Sequence, residues 1–296
     1  VQIVGTINAD PKRVGEPLIN PGIIGTIEDI PAIVRARGVD RVVVSLADAR
    51  GRLPMDKLLE MKLSGVTFDH LASVYEEYIG KIAVENLRPS WLIFSSGFRK
   101  TRLLLVVKRI VDVAVSFVGL VLATPILGLL AIAVKLSSPG PVLYRQARVG
   151  QEGRIFHVYK LRSMRADAEA GTGAVWARRN DDRVTPIGRW MRRTRLDEIP
   201  QLWNVLLGNM SFVGPRPERP EFLRFLTEKI PLYVQRHLLK PGITGWAQVR
   251  YTYGASVEDT IEKLQYDLYY IKNLSIPFDL FIIFETVKTV IRGAGH

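Results

Sequence analysis

Cysteine is absent from the 296 residues. Disulfides, thiolate metal sites and a cysteine nucleophile are thereby excluded, and a cytosolic setting is compatible. No G-x-G-x-x-G turn occurs, so no nucleotide site is assigned to the first strands. Internal repeats and low-complexity tracts are missing too. The chain opens on Val1-Gln2-Ile3, without a Met and without a signal-peptide pattern, and is expected to be a piece of a longer protein. Acidic side chains are in deficit: 29 Asp+Glu face 41 Lys+Arg, for a formal charge of +12 and a pI near 9.9. That balance suits polyanionic partners, namely nucleic acid, an anionic membrane face or phosphorylated substrates. A merely soluble basic surface gives the same count.

With 47% hydrophobic residues the chain can bury a core, in one large domain or two modest ones. Residues 1–98 alternate short strands and helices. Val1 to Ile7 is apolar. Thr26 is a plausible cap for a helix over Ile27–Arg37, which has Glu28 and Asp29 in its first turn and Gly38 at its end. Arg41 to Ser45 is a β-branched run that reads as a buried parallel strand. Pro54–Leu63 has helical spacing, and Val66–Asp69 is another strand. The βαβ order predicts a small open parallel sheet, with a regulatory or scaffolding role.

Ile110 to Val134 is almost wholly apolar, with Asp112 as its only charge. About 20 apolar residues suffice to cross a bilayer. Pro125 follows Thr124 past the middle and kinks or breaks the helix there. Two outcomes stay open: a kinked span, or a re-entrant hairpin that enters and leaves by one face. Cations at both ends, Lys108 and Arg109 before and Lys135 after, favour the hairpin. From Ser137 onward the chain reads as an α-rich domain with long loops. Its last apolar helix, Ile276–Ile291, is expected either at the membrane interface or in the core.

Four clusters carry chemistry. In Arg192 to Gly208 an apolar stripe (Ile199, Leu202, Val205, Leu206) marks a helix, with Pro200 in its first turn. Asp197 and Glu198 then stand at the helix entry beside several arginines. One carboxylate can serve as nucleophile while the other holds a divalent cation, although acidic residues also collect in first turns to complement the dipole. Tyr159 to Met164, read as a strand, puts Lys160 and Arg162 on one face. Pro215-Arg216-Pro217 fixes one guanidinium in a rigid turn suited to a diphosphate. Lys240 to Val249, which includes Gln248, is a tight Gly-rich turn with Trp246.

In this order, behind a proline-broken apolar segment, the clusters resemble the monotopic polyprenyl-phosphate phosphoglycosyl transferases, the bacterial sugar transferase family. The resemblance runs from about Lys108 to the C-terminus. It rests on KRIVD, the break at Thr124-Pro125, YKLRSM, RLDEIPQLWNVLLGNMSFVGPRP, KPGITGWAQV and DLYYIKN. Residues 1–98 look like the Rossmann-like, CoA-binding-like extension of longer exopolysaccharide-type members. The implied architecture is α/β: a small parallel-sheet domain (1–98), a linker and re-entrant membrane hairpin (99–136), then an α-rich membrane-associated catalytic domain (137–296).

The resemblance implies transfer of a sugar-1-phosphate from a UDP-sugar to undecaprenyl phosphate with release of UMP, at the start of exopolysaccharide or related glycan assembly. Asp197 falls on the nucleophile and Glu198 on the residue that supports Mg²⁺, both counted as metal-binding. Arg192, Lys160, Arg162 and Arg216 fall on phosphate ligands, and Pro215, Arg216, Pro217 and Gln248 on the nucleotide site. The family's usual Ser-Pro break is Thr124-Pro125 here. Thr keeps a hydroxyl able to bond the freed carbonyl one turn back. The implied setting is the cytoplasmic face of the bacterial inner membrane, among lipids and without nucleic acid. A homo-oligomer is left open, as is the sugar: glucose or galactose, or an N-acetylated one. The rival classes are a basic membrane-tethered binding module and a direct ternary-complex transferase.

Overall fold

The computed structural model describes residues 2–17, 21–45, 54–84, 97–165, 167–168, 181–251, 254 and 256–292. The chain divides into two compact units, Val1–Gly80 and Lys81–His296. The second begins ahead of the boundary expected at residue 98, because Ile82 and Val84 are buried in its core with Leu264 and Leu268.

In the first unit β1 (Thr6–Asn8) pairs in parallel with β2 (Ile23–Thr26), and β3 (Arg41–Val44) with β4 (Thr67–His70). The expected single sheet is thus two parallel pairs among the described residues. Both pairs nevertheless feed one core. Ile30 and Val34 of α1 (Ile30–Arg37) and Leu58 and Met61 of α2 (Met55–Leu63) pack with Ile7, Val42 and Phe68. The Asp29 carboxylate accepts from both the amide and the hydroxyl of Thr26, each at 2.8 Å, which fixes the chain entering α1. Gly38 ends that helix with φ 60°, a conformation that favours glycine. A third helix, α3 (Leu71–Ile79), follows β4 directly.

The second unit opens with α4 (Arg102–Ser137), started by Thr101, whose hydroxyl accepts from Leu104 N at 3.2 Å. Its length and composition would allow it to cross a membrane. It runs unbroken through Pro125. The Thr124 hydroxyl donates to Leu120 O at 2.8 Å, one residue before the Val121 carbonyl that Pro125 deprives of its usual donor. One stripe of α4 is buried: Lys108, Asp112, Ser116, Leu130 and Val134. Elsewhere its surface exposes Leu103, Val106, Ile110, Phe117, Leu122 and Leu129.

The polar part of that stripe ties α4 to the rest of the unit. Lys108 Nζ donates to Asp279 Oδ2 at 2.6 Å and to Val213 O at 3.1 Å. The Tyr270 hydroxyl donates to Asp279 Oδ1 at 2.7 Å. Asp112, the lone charge in the apolar run, accepts from Phe212 N at 3.0 Å. A buried carboxylate stripped of its cation is left uncompensated. Lys108→Met should therefore lower the unfolding free energy in detergent by about 3–5 kcal/mol. The apolar pair variant, Lys108→Met with Asp279→Leu, should recover most of it; thermal denaturation of both measures the difference.

Beyond α4, β5 (Leu143–Val149) and β6 (Ile155–Leu161) form an antiparallel ribbon that pairs Tyr144 with Lys160. Then come α5 (Pro186–Arg193), a 3₁₀ turn (Leu196–Glu198), α6 (Gln201–Leu206) and β7 (Ser211–Val213). After α7 (Pro220–Lys229), β8 (Gly242–Thr244) runs parallel to β7. Helices α8 (Trp246–Arg250), α9 (Val257–Lys272) and α10 (Ile276–Ile291) close the unit. Helix α10 packs one side into the core, as one of the two expectations had it. It buries Asp279 and Ile282 and exposes Leu280, Phe284 and Val287.

Candidate active site

The acidic pair lies just before α6, as the proline pattern requires, but on a 3₁₀ turn of its own. Arg195 enters that turn with φ 59°, in the left-handed region. The reversal lets Glu198 N bond Arg195 O at 3.1 Å and brings the Arg195 side chain back over the pair. Asp197 and Glu198 are both buried, at 6% exposure.

Glu198 is the hub. Its Oε1 accepts from Lys160 Nζ at 2.7 Å and from Arg216 Nη2 at 2.9 Å, and its Oε2 from Arg195 Nη1 at 3.1 Å. Arg216 also donates through Nη1 to Gln248 Oε1 at 2.8 Å. Lys160 and Arg216, far apart in sequence, thus meet at one carboxylate, and Gln248 joins them through Arg216. Arg192 donates from Nε to Ser163 Oγ at 2.8 Å and acts electrostatically on Asp197.

Asp197 differs from its neighbour. Its Oδ1 is buried with no hydrogen-bond partner among the described residues. Burial, then repulsion from Glu198, raises its pKa against the pull of Lys160, Arg192 and Arg195. Burial would also raise Glu198, but Arg216, Lys160 and Arg195 together hold it well below the usual carboxylate range. Burial lowers Lys160, with Glu198 opposing, whereas attraction to Glu198 raises Arg216. Two adjacent carboxyls are pushed apart, one held ionised by three cations and one left with a bare oxygen.

The loops around the pair are set by close backbone approach. A Cβ on Gly242 would stand 2.1 Å from Gly214 N, so only glycine lets the β7 and β8 ends touch. Gly214 N then donates to Thr244 O, and Gly242 N to Pro215 O, each at 2.9 Å. Pro215 and Pro217 flank Arg216 in the irregular stretch between β7 and α7. Trp246 lies in the core against Tyr269 and Phe278.

Arg162 is placed elsewhere. Strand parity would pair it with Lys160, but β6 stops at Leu161. Its guanidinium instead caps the end of α4, donating to Pro139 O at 2.8 Å, Ser138 O at 2.6 Å and Val134 O at 3.3 Å.

Three residues near the pair were not singled out from sequence. Arg195 has no signal beyond its place in an arginine-rich run. Arg148 is lowered by burial to about 10, and Glu218, Arg216 and Glu198 act on it. Asn204, wholly buried on α6, accepts from Tyr159 N at 3.0 Å and donates to His157 O at 2.7 Å. It zips α6 to β6 and sets Lys160 against Glu198. It lies off the stripe of Leu202 and Leu206, so the sequence pattern does not mark it.

The geometry is thus a basic site around two buried carboxylates, in a unit that carries a membrane-capable helix. Residues 103–293 match the family described as bacterial sugar transferase, and the chain belongs to that family. It is 37% identical over 257 residues to the UDP-N-acetylgalactosamine-undecaprenyl-phosphate N-acetylgalactosaminephosphotransferase of Aeromonas hydrophila, covering 86% of this chain and 60% of that protein. It is 41% identical over 241 residues to the UDP-glucose:undecaprenyl-phosphate glucose-1-phosphate transferase of Xanthomonas campestris pv. campestris, covering 80% and 48%. The putative undecaprenyl-phosphate N-acetylgalactosaminyl 1-phosphate transferase of Bacillus subtilis is 50% identical over 137 residues, 46% of this chain and 76% of that protein. The chain spans about half to three-fifths of the length of the first two relatives.

Proposed function

We propose that the protein transfers a sugar-1-phosphate from a UDP-sugar to undecaprenyl phosphate at the membrane face, by a ping-pong reaction through Asp197. The observation that carries this reading is the buried Oδ1 of Asp197, unpartnered among the described residues, beside a Glu198 held ionised by Lys160, Arg195 and Arg216. A carboxylate oxygen without a donor keeps its lone pairs for phosphorus.

In the first step an Asp197 oxygen bonds the sugar-bearing phosphorus of the UDP-sugar. The bond from that phosphorus to the bridging oxygen breaks, and UMP leaves with the electron pair. In the second step a phosphate oxygen of undecaprenyl phosphate attacks the same phosphorus, and the Asp197 carboxylate is restored. No proton need move in either step. Arg216, fixed between its prolines, and Arg192 hold the pyrophosphate oxygens and offset the charge that gathers on them. Gln248 orients Arg216.

The bare Asp197 oxygen also fits a divalent cation. Mg²⁺ takes one or two carboxylates and completes its shell with water and phosphate oxygens. Asp197 and Glu198 would hold it with the pyrophosphate, where it would supply charge neutralisation.

We read α4 as a re-entrant or in-plane membrane element rather than a span. Its buried stripe meets the second unit at both ends: Leu104 in the core with Leu268, and Leu130 and Val134 with Leu161 and Met191. The basic flanks support a reading with both ends at the cytoplasmic face. The relatives' names divide between UDP-glucose and UDP-N-acetylgalactosamine, so either class of sugar is a candidate.

The test is UMP release from single UDP-sugars with Mg²⁺ in the absence of undecaprenyl phosphate. We expect a burst of about one UMP per protein and a phosphosugar-labelled chain. UMP that appears only after undecaprenyl phosphate is added would mean a direct ternary transfer. None with any UDP-sugar would leave a binding module.

A further inference from the structure

The Pro215-Arg216-Pro217 turn is held by its carbonyls. Prolines carry no N–H, so carbonyl oxygens are the main handles by which such a turn can be fixed. All three are taken, each from a different direction. Pro215 O accepts from Gly242 N at 2.9 Å, Arg216 O from Arg236 Nη2 at 3.0 Å, and Pro217 O from Arg148 Nη1 at 2.9 Å.

Arg236 stands behind the turn and lies outside the set of cations on Glu198. It is buried, at 6% exposure. Its terminal nitrogens also donate to the Tyr233 hydroxyl at 2.7 Å and to Asp267 Oδ2 at 2.8 Å. Asp267, on α9, is itself 1% exposed. A buried ion pair of this kind is a poor source of net stability, because desolvation offsets the attraction. What it supplies is direction: a guanidinium locked by Tyr233 and Asp267 presents one N–H to one backbone oxygen.

We propose that Arg236 is a positioning residue for the transferase site. Through Arg216 O it fixes the peptide plane from which the Arg216 side chain reaches Glu198 and Gln248, and so sets the site's hold on the donor pyrophosphate. The inference rests on the phosphate-binding role given to Arg216 above. Without Arg236 the Arg216–Pro217 peptide can rotate, and the guanidinium loses its aim while keeping its charge.

The experiment is a mutant cycle on the full chain in detergent, with UDP-glucose or UDP-N-acetylgalactosamine, Mg²⁺ and undecaprenyl phosphate. Arg236→Lys keeps a cation for Asp267 but cannot reach all three acceptors from one nitrogen. It should lower kcat/KM for the donor by roughly tenfold to a hundredfold, the worth of a charge-assisted hydrogen bond. The apolar pair, Arg236→Met with Asp267→Leu, guards against misfolding. It should keep the thermal midpoint and lose kcat/KM to the same degree.

The deciding readout is coupling. If Arg236 acts through Arg216, then Arg236→Lys added to Arg216→Ala should change kcat/KM by less than about twofold. A full, additive loss in that background overturns the proposal, as does wild-type kcat/KM in the folded pair variant. Normal activity in Arg216→Ala alone defeats the reading of Arg216 first, and the two failures are told apart by that single variant.

Discussion

Asp197→Asn should abolish turnover and at the same time stabilise the protein at neutral pH. Loss of a nucleophile costs on the order of 10⁴–10⁶ in kcat. The amide can neither attack phosphorus nor form the acyl phosphate, so no labelled chain should be trapped. The stability change follows from the raised pKa of Asp197, caused by burial and by Glu198. Below the ordinary Asp value of about 3.8 the folded and unfolded chains both hold the proton, and the residue contributes nothing. As pH rises from there toward the raised folded value, the unfolded chain has released a proton that the folded one keeps. Stability falls through that window and stays reduced above it. The Asn variant lacks this loss. Its thermal midpoint in metal-free buffer should exceed that of the wild type at pH 7, and the gap should close as pH falls toward 4. An active variant would remove Asp197 from the chemistry. An inactive variant with a lower midpoint at pH 7 would mean that Asp197 is structural, satisfied by contacts the Asn cannot make.

The parts of this site legible in the sequence are those set by local chemistry. Pro200 can only sit at a helix entry, so Asp197 and Glu198 had to stand before α6. Prolines on both sides of Arg216 announce a rigid turn wherever it lies. Parity along a strand is also local, and it fails where the strand ends: Leu161 is the last residue of β6, so Lys160 faces Glu198 while Arg162 turns to the α4 carbonyls. Non-local partners leave no such trace. Arg236 and Asp267 belong to different elements and meet only in the fold, as do Lys108 and Asp279. Arg195 was hidden for another reason: a left-handed arginine is uncommon, and nothing in the run from Arg192 to Arg195 marks the residue that reverses. In the first unit, strands of three or four residues offer few ladder positions, and the expected sheet is two short pairs over a shared core.

Cysteines placed at Leu103 and Leu136 should both be shielded from an impermeant thiol reagent on intact cells, and both should react once the cells are permeabilised. The chain contains no native Cys, so each label reports one site. These positions lie in the first and last turns of α4 and are 73% and 82% exposed, whereas Lys108 is buried in its ion pair and would be silent whatever the topology. A helix of 36 residues is about 54 Å long, ample for a hydrocarbon core of about 30 Å. Length therefore permits a span, and packing argues against one. The buried stripe passes from Leu104 and Lys108 through Ser116 to Leu130 and Val134, and each end of it closes on the same unit. To put Leu103 outside and Leu136 inside, either that unit would enter the bilayer with Lys108, Asp112 and Asp279, or one end of the stripe would undock. Undocking the first end exposes the Lys108–Asp279 pair, and undocking the second strips Leu130 and Val134 from Met191. Because packing on both sides of Pro125 holds the helix down, Pro125→Ala should leave both cysteines shielded. Labelling of one end in intact wild-type cells would establish a crossing helix. Labelling of one end only in Pro125→Ala would show instead that the proline, rather than the docked stripe, keeps α4 on one face.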